Sequence, residues 1–276
     1  MTPVPARNAD GRPGRSGGPA PCWAVDLGTF QYGRAWNLQG ELVRARLAEQ
    51  VPDLLLFVQH PHVYTLGRGG DDRHVLWDER RLAQRGVEIY HVDRGGDVTY
   101  HGPGQAVGYP IIALRRHGLD AHKYLRDLEE VLIRVLAEFG IEGGRAPGMT
   151  GVWVDNAKIA AIGVKFTRWV TSHGFALNVS TDLSYFDGII PCGLSNRNVT
   201  SMQELLGRPV EMADVHAALR RQFGAVFRLD VQPRSDAALA PWLAAADGAP
   251  ADPGSADGGV GRYARAGAEP VRAASE

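Results

Sequence analysis

Apolar and polar positions along the chain alternate between helical and strand-like rhythms. In "AWNLQGELVRARLAEQ", Trp36, Leu42, Val43 and Leu47 recur at roughly helical spacing, which predicts a helix interrupted in composition only by Gly40. "DLLLFVQH" is a short apolar run suited to a buried strand, and "HVYTLGR" predicts a second that ends at Gly67. "VEIYHVDRGG" alternates and then breaks at a glycine pair, and "GQAVGYPIIAL" is another buried-strand candidate. The clearest helix is "DAHKYLRDLEEVLIRVLAEFG". Tyr124, Leu125, Leu128, Val131, Leu132, Val135, Leu136 and Phe139 trace one stripe, with Asp120 as N-cap and Gly140 as stop. "GVWVD" and "KIAAIGVKFT" are strands about the tight turn "NA", "WVTSHGFALNVS" adds one more, and "PVEMADVHAALRRQFGAVF" predicts a helix with Pro209 near its start. Helices among at least six strands, several joined by short turns, predict an α/β or α+β domain with helices packed on a mixed sheet. The strict βαβ rhythm of a dinucleotide-binding fold is missing.

Composition narrows the domain and its setting. Residues 1–21 are rich in Pro, Gly and Arg, and residues 235–276 are dominated by Ala, Gly, Pro and Asp. Such segments bury little apolar surface against the entropy of ordering, so both are expected to be disordered tails, with only local docking of Trp242 and Leu243. Residues 22–234 are then one domain of ordinary size. Hydrophobic residues at 44%, charged residues at 22% and a net charge of −1 describe a soluble globular protein without the basic face that nucleic acid requires. A local basic patch could still meet an acidic protein. No secretory h-region and no membrane-length apolar run are present, which predicts a cytoplasmic location. The two cysteines, Cys22 and Cys192, form no metal-ligand or disulfide pattern.

Cys192 lies in "YFDGIIPCGLSNRNVTS", between Pro191 and Gly193, where an apolar pair runs into a turn. A lone cysteine is usually a small buried hydrophobe, and a free thiol with pKa about 8.5 is only slightly ionised at neutral pH. The turn, the restriction at Pro191 and the close approach allowed by Gly193 favour a reactive role, provided that a cation or base is near. Cys22 has no such setting and is expected to be inert. "HVDRGGDVTYHGPGQAVGYPI" is a glycine-rich loop between strands; Arg94, Thr99, Tyr100 and His101 put polar groups on a backbone that a ligand can approach. It matches neither nucleotide-phosphate glycine pattern, and the plainer reading is a pair of tight turns. Lys158 enters a strand of apolar residues and glycine; most such lysines are solvated, but one turned inward is a plausible thiolate partner. In "SHGFALN", Gly174 and Ala176 beside His173 would leave room for a ligand chain.

Together, "RGGDVTYHGPGQ", "KIAAIGVK", "HGFALN" and "PCGLSN" resemble, in order, the signature blocks of the lipoyl(octanoyl) transferases, over roughly residues 23–230. "LLFVQHPHVYTLGRGG" resembles that family's early strand pair, with Gln59 and His62 departing from its usual Glu and Pro. The resemblance implies the fold shared with biotin and lipoate protein ligases. It implies Cys192 as acyl-thioester nucleophile and Lys158 as the lysine that lowers its pKa. It further implies three substrate-binding segments: Arg94, Gly95, Gly96, Asp97, Val98, Thr99, Tyr100 and His101; Ala161, Ile162 and Gly163; and Gly174, Phe175 and Ala176.

The implied partners are octanoyl-acyl carrier protein as donor, with lipoyl domains of 2-oxoacid dehydrogenases and the glycine cleavage H protein as acceptors. No cofactor, metal, nucleic acid or membrane is implied. An ATP-dependent ligase on the same fold is the nearest rival, but it would be expected to show a nucleotide loop followed by "YHD" where this chain has "YHGPGQ". A non-catalytic adaptor would have little reason to keep both Cys192 and Lys158. A cysteine hydrolase would release free acid and is separable by its product.

Overall fold

The computed structural model describes residues 18–190, 198–248 and 263–264. The chain begins with β1 (Ala20–Thr29), α1 (Tyr32–Leu47), β2 (Asp53–Gln59) and β3 (Val63–Leu66). It continues through α2 (Glu79–Arg85), β4 (Glu88–His91), β5 (Val98–His101) and β6 (Gln105–Ile111) to the long α3 (Ala121–Glu138). The hairpin of β7 (Val152–Val154) and β8 (Ala157–Thr167) follows, then β9 (Val170–Asn178) and a 3-10 turn at Leu183–Gly188. The remainder is β10 (Asn198–Val199), α4 (Met202–Leu206), α5 (Met212–Phe227), β11 (Leu229–Arg234), α6 (Ala240–Gly248) and β12 (Tyr263–Ala264).

The large sheet runs β10-β8-β9-β6-β2-β1-β11, with β7 also on β8. Strand β1 is parallel to both β2 and β11, whereas β2–β6, β6–β9 and β8–β9 are antiparallel, so the expected mixed sheet is present. Its middle is covered on both faces. Leu55 and Phe57 of β2 pack with Leu128, Leu132 and Val135 of α3 and Leu219 and Phe223 of α5. Leu54, Leu56 and Val58 of the same strand pack with Leu38 and Leu42 of α1. This double burial explains why "DLLLFVQ" is a continuous apolar run and not an alternating one. The α3 stripe is buried as its spacing predicts, and the Asp120 carboxylate caps the helix by accepting from Lys123 N–H. A small second sheet, β12-β4-β3-β5, lies over an aromatic cluster that includes Tyr64, Trp77, Tyr100 and Tyr185.

The expected tail boundaries shift in both directions. Ala20 and Pro21 are already in β1, paired with Leu229 and Asp230. Beyond Ser235 the chain forms a 3-10 turn and then α6, which packs on α1. Leu239 is fully buried and Ala246 nearly so, Asn37 Nδ2 donates to the Ala246 carbonyl at 3.3 Å, and Arg34 pairs with Asp247. An alanine-rich run looks featureless by composition, yet alanine has the highest helix propensity, and Pro241 fits the first turn. Residues 249–262 and 265–276 of the expected tail lie outside the described residues, as do residues 1–17. No helix among the described residues is long and apolar enough to cross a membrane.

Candidate active site

A cavity of about 570 Å³ opens beside β8 and β9, under the loop that joins β4 to β5. Buried Arg94 ties that loop down: its guanidinium donates to the Thr65 carbonyl at 2.6 Å, the Thr65 hydroxyl at 2.9 Å and the Gly95 carbonyl at 3.1 Å. Gly95 N–H in turn donates to the Val164 carbonyl on β8 at 3.0 Å. Just before the loop, the Asp93 carboxylate accepts from His173 Nε2 at 2.9 Å and from Lys165 Nζ at 2.5 Å. Burial alone would raise the Asp93 pKa, but the bonds and charges of His173 and Lys165 outweigh it and hold the carboxyl well below the usual range. His173 is a non-glycine residue at φ +55° inside a strand, a strained conformation kept by its surroundings: Gln39 Oε1 accepts from its backbone N–H at 2.6 Å.

Small residues face one another across β8 and β9: Ala161 opposite Ala176 and Gly163 opposite Gly174. Much of this smallness serves the protein itself. A Cβ on Gly174 would lie 2.1 Å from the Gly108 carbonyl oxygen, and one on Gly163 would lie 3.0 Å from Arg94 Cδ and from the Gly95 carbonyl. The glycines let the neighbouring strand and the overlying loop close on the sheet, which shapes the cavity wall.

Neutral imidazoles and amides underlie the polar part. His60 Nδ1 faces the Phe30 carbonyl at 2.6 Å and its Nε2 faces the Tyr109 hydroxyl at 2.7 Å. A carbonyl only accepts, so Nδ1 carries the proton and Nε2 receives the tyrosine O–H. Burial lowers the His60 pKa to about 4, against the opposing effect of the Phe30 carbonyl. Gln105 donates through Nε2 to the Tyr100 carbonyl and to Asn178 Oδ1, leaving its oxygen to accept from His101 Nδ1 at 2.8 Å. His101 is therefore the Nδ1–H tautomer with a bare Nε2, and burial pushes its pKa well down. Asn178 Nδ2 extends the chain of bonds to the Thr200 carbonyl at 3.0 Å.

Lys158 lines the same cavity from β8. Its ammonium lies 4.8 Å from the centre of the Trp153 ring, an attractive cation–π geometry. Val199 of β10 pairs with it, and Thr200 N–H donates to its carbonyl at 3.1 Å. Cys192 lies outside the described residues. The chain before it is anchored at Ile190, whose N–H donates to the His74 carbonyl at 2.8 Å, and the chain after it resumes at Asn198 opposite Ala157. Cys22, by contrast, is fully buried in β1. Burial first, and the Asp53 carboxylate second, push its thiol far above the ordinary range, so it stays protonated and inert.

Of the residues expected to bind substrate, Arg94, Gly95, Gly96, Asp97, Val98, Thr99, His101, Ala161, Ile162, Gly163, Gly174, Phe175 and Ala176 border the cavity. Tyr100 does not. Its ring stacks on Tyr185 at 5.1 Å and its hydroxyl meets His62 Nδ1 at 2.8 Å, so it belongs to the aromatic cluster. Sequence reasoning missed Tyr32, Gln105, Tyr109 and Asn178, which also border the cavity. Gln105 and Asn178 close two of the quoted blocks and were within reach; Tyr32 arrives only through the packing of α1. The departures at Gln59 and His62 are accommodated, since Gln59 Oε1 accepts from Gly104 N–H at 2.9 Å and His62 stacks on Tyr185 at 4.0 Å.

A mixed sheet carrying such a cavity under a glycine-rich loop defines a class, and the family model described as lipoyl protein ligase A/B catalytic domain matches residues 31–224. Its fold is also that of lipoate-protein ligase A bound with ATP, which superposes with a TM-score of 0.67 at 17% identity over 83% of this chain and 95% of that one. A bi-partite lipoate protein ligase of Thermoplasma acidophilum superposes at 0.65, also 17% identical, over 83% and 92% of the respective chains. The octanoyltransferase of Rubrobacter xylanophilus is 55% identical over 190 residues, which cover 68% of this chain and 85% of that protein. The octanoyltransferase of Solibacter usitatus is 48% identical over 219 residues, 79% of this chain and 99% of that one. The chain belongs to the octanoyltransferase family within the lipoyl protein ligase A/B class and is an acyltransferase.

Proposed function

We propose that the protein moves an octanoyl group from octanoyl-acyl carrier protein to the ε-amino group of a lysine on a lipoyl domain, through a thioester on Cys192. The Cys192 thiolate attacks the donor carbonyl, the carbonyl–sulfur bond to the carrier breaks, and the carrier thiolate leaves and takes a proton. The acceptor amine then attacks the enzyme thioester, a C–N bond forms, the Cys192 thiolate departs, and the amine loses a proton. Lys158 favours the thiolate and handles both protons. Two successive encounters replace one meeting of two bulky proteins. Lipoyl domains of 2-oxoacid dehydrogenases and the glycine cleavage H protein are the acceptors this reading names.

The observation that carries the reading is the presence of Lys158 in the wall of the cavity that the glycine-rich loop covers, on the strand to which the chain returns just after Cys192. Supporting it, Leu125, Met149, Ile162 and Phe166 give the cavity an apolar stretch suited to an acyl chain. The test is transfer from octanoyl-acyl carrier protein to a lipoyl domain, read by intact mass without ATP. Octanoyl-lysine amide on the acceptor is expected; a strict need for ATP, or release of free octanoic acid alone, would overturn the reading.

A further inference from the structure

Lys158 is enclosed by a segment whose own anchor is a buried carboxylate on α3. Glu129 is fully buried. Its Oε2 accepts from Arg126 Nη1 at 2.7 Å and from Arg145 Nε at 3.0 Å, and its Oε1 accepts from Gly151 N–H at 3.1 Å. Arg145 also donates to the Arg126 carbonyl at 3.2 Å and to Glu130 Oε2 at 2.8 Å, which fastens the chain after β-bridge residue Gly144 to the helix. Gly151 is buried at φ +124°; a Cβ built there would lie 2.6 Å from the Ala160 carbonyl and 3.6 Å from Lys158 Cε. The backbone at Gly151 is thus pressed against the Ala160 carbonyl of β8, and a side chain there would reach the Lys158 stem. Two residues on, Trp153 pairs with Lys158 across the β7–β8 hairpin and offers its ring to the ammonium.

These contacts run from the helix to the strand that carries the lysine: Glu129 to Gly151, Gly151 against Ala160 of β8, and Trp153 of the same segment paired with Lys158 and facing its ammonium. A buried carboxylate holding two guanidinium groups is costly to desolvate, and a well-packed apolar residue would often serve stability as well. Its presence at this place is explained if it holds the segment that borders Lys158. We propose that Glu129, which touches no reacting atom, is a positioning residue: through Gly151 and the β7–β8 hairpin it fixes Lys158 in the cavity wall. The proposal rests on the assignment of Lys158 as the partner of Cys192.

The test reads the ionisation of Cys192 directly. The rate of iodoacetamide alkylation at Cys192, followed by mass spectrometry across pH, gives the thiol midpoint in wild type, Lys158→Ala, Glu129→Ala and Glu129→Gln. Buried Cys22 is an internal unreactive control. Lys158→Ala is expected to raise the midpoint, and Glu129→Ala to move it most of the way to the same place, with octanoylation slowed about tenfold and donor KM nearly unchanged. Glu129→Gln keeps an acceptor for Gly151 N–H and is expected to recover much of the wild-type profile. If Glu129→Ala does not fold, Arg145→Ala, at a partly exposed side chain, asks the same question and is expected to raise the midpoint by less. A midpoint that Lys158→Ala moves and the Glu129 and Arg145 variants leave in place would overturn the positioning role alone. A midpoint that Lys158→Ala leaves unmoved would overturn the lysine assignment and the inference with it.

Discussion

The two lysines of β8 stand seven residues apart on one strand and have opposite surroundings. At the far end, Lys165 is joined to the Asp93 carboxylate, which also holds the His173 ring and the start of the glycine-rich loop. At the near end, Lys158 rests over the Trp153 ring in the cavity wall. An ammonium clamped to a carboxylate is a fastener, its charge matched by a partner that cannot leave without opening the loop. One set over an aromatic face in a cavity wall is confined in position beside space that a ligand can enter. Identical side chains on one strand thus sit in different settings, one tied to a carboxylate and one in the wall of the cavity, and the neighbouring elements decide which is which.

Substitutions should separate the two ends. Lys158→Ala is expected to slow formation of the octanoyl-enzyme about 100-fold or more in rapid-mixing experiments, while donor binding by calorimetry stays within a few-fold of wild type. Equal losses in rate and binding would return Lys158 to a merely structural role. Lys165→Ala should act through the loop instead: donor KM rises about tenfold with the maximal rate nearly kept, because one of two contacts to Asp93 remains. A large drop in maximal rate with unchanged KM would erase the distinction between the ends.

Smaller effects fall on stability. Truncation after Ser235 removes buried Leu239 and uncovers α1, so thermal unfolding should show a loss of about 2–4 kcal/mol while octanoyl transfer continues. Acid should weaken the protein in two stages. His60 is neutral when folded down to about pH 4, whereas an unfolded histidine takes a proton near pH 6.5; the unfolded state therefore binds more protons in between, and stability falls as pH drops from about 6.5 toward 4. At Asp53, burial raises the pKa, but bonds from His117, the Ala113 N–H and Arg46 outweigh it and leave the carboxyl below its ordinary value. Its contribution is full above the unfolded carboxyl pKa and is lost as pH falls below about 4. Melting temperatures of wild type and His60→Gln across this range should differ most in slope between pH 6.5 and 4; parallel curves would show that His60 is not the group responsible.

Apolar pattern made the middle of the fold legible and left its margins obscure. Strand β2 and helix α3 declare themselves because one is buried on both faces and the other carries a full stripe. Strand β1 was hidden, since "APCWAVDLGT" mixes Pro21 and exposed Asp26 with buried Cys22 and Val25. Helix α2 was hidden because Leu82 is its sole buried residue, so it has no stripe. Within the site, the quoted blocks held the loop, the small-residue pairs and Lys158. Tyr100, expected in the first substrate-binding segment, does not border the cavity: Thr99 and His101 do, and the ring between them lies in the aromatic cluster. Glu129 carried no signal at all, because in sequence it is one more charge on an amphipathic helix, and only the burial of α3 against the β7–β8 hairpin reveals its task.

The most direct measurement is the intact mass of wild type and Cys192→Ala after brief incubation with octanoyl-acyl carrier protein, without a lipoyl domain. The account predicts one added octanoyl group on wild type, absent from the variant and discharged when lipoyl domain is supplied. An adduct on both proteins would contradict it by placing the nucleophile elsewhere. So would an adduct on neither, accompanied by undiminished transfer to lipoyl domain by the variant, because transfer would then need no enzyme thioester.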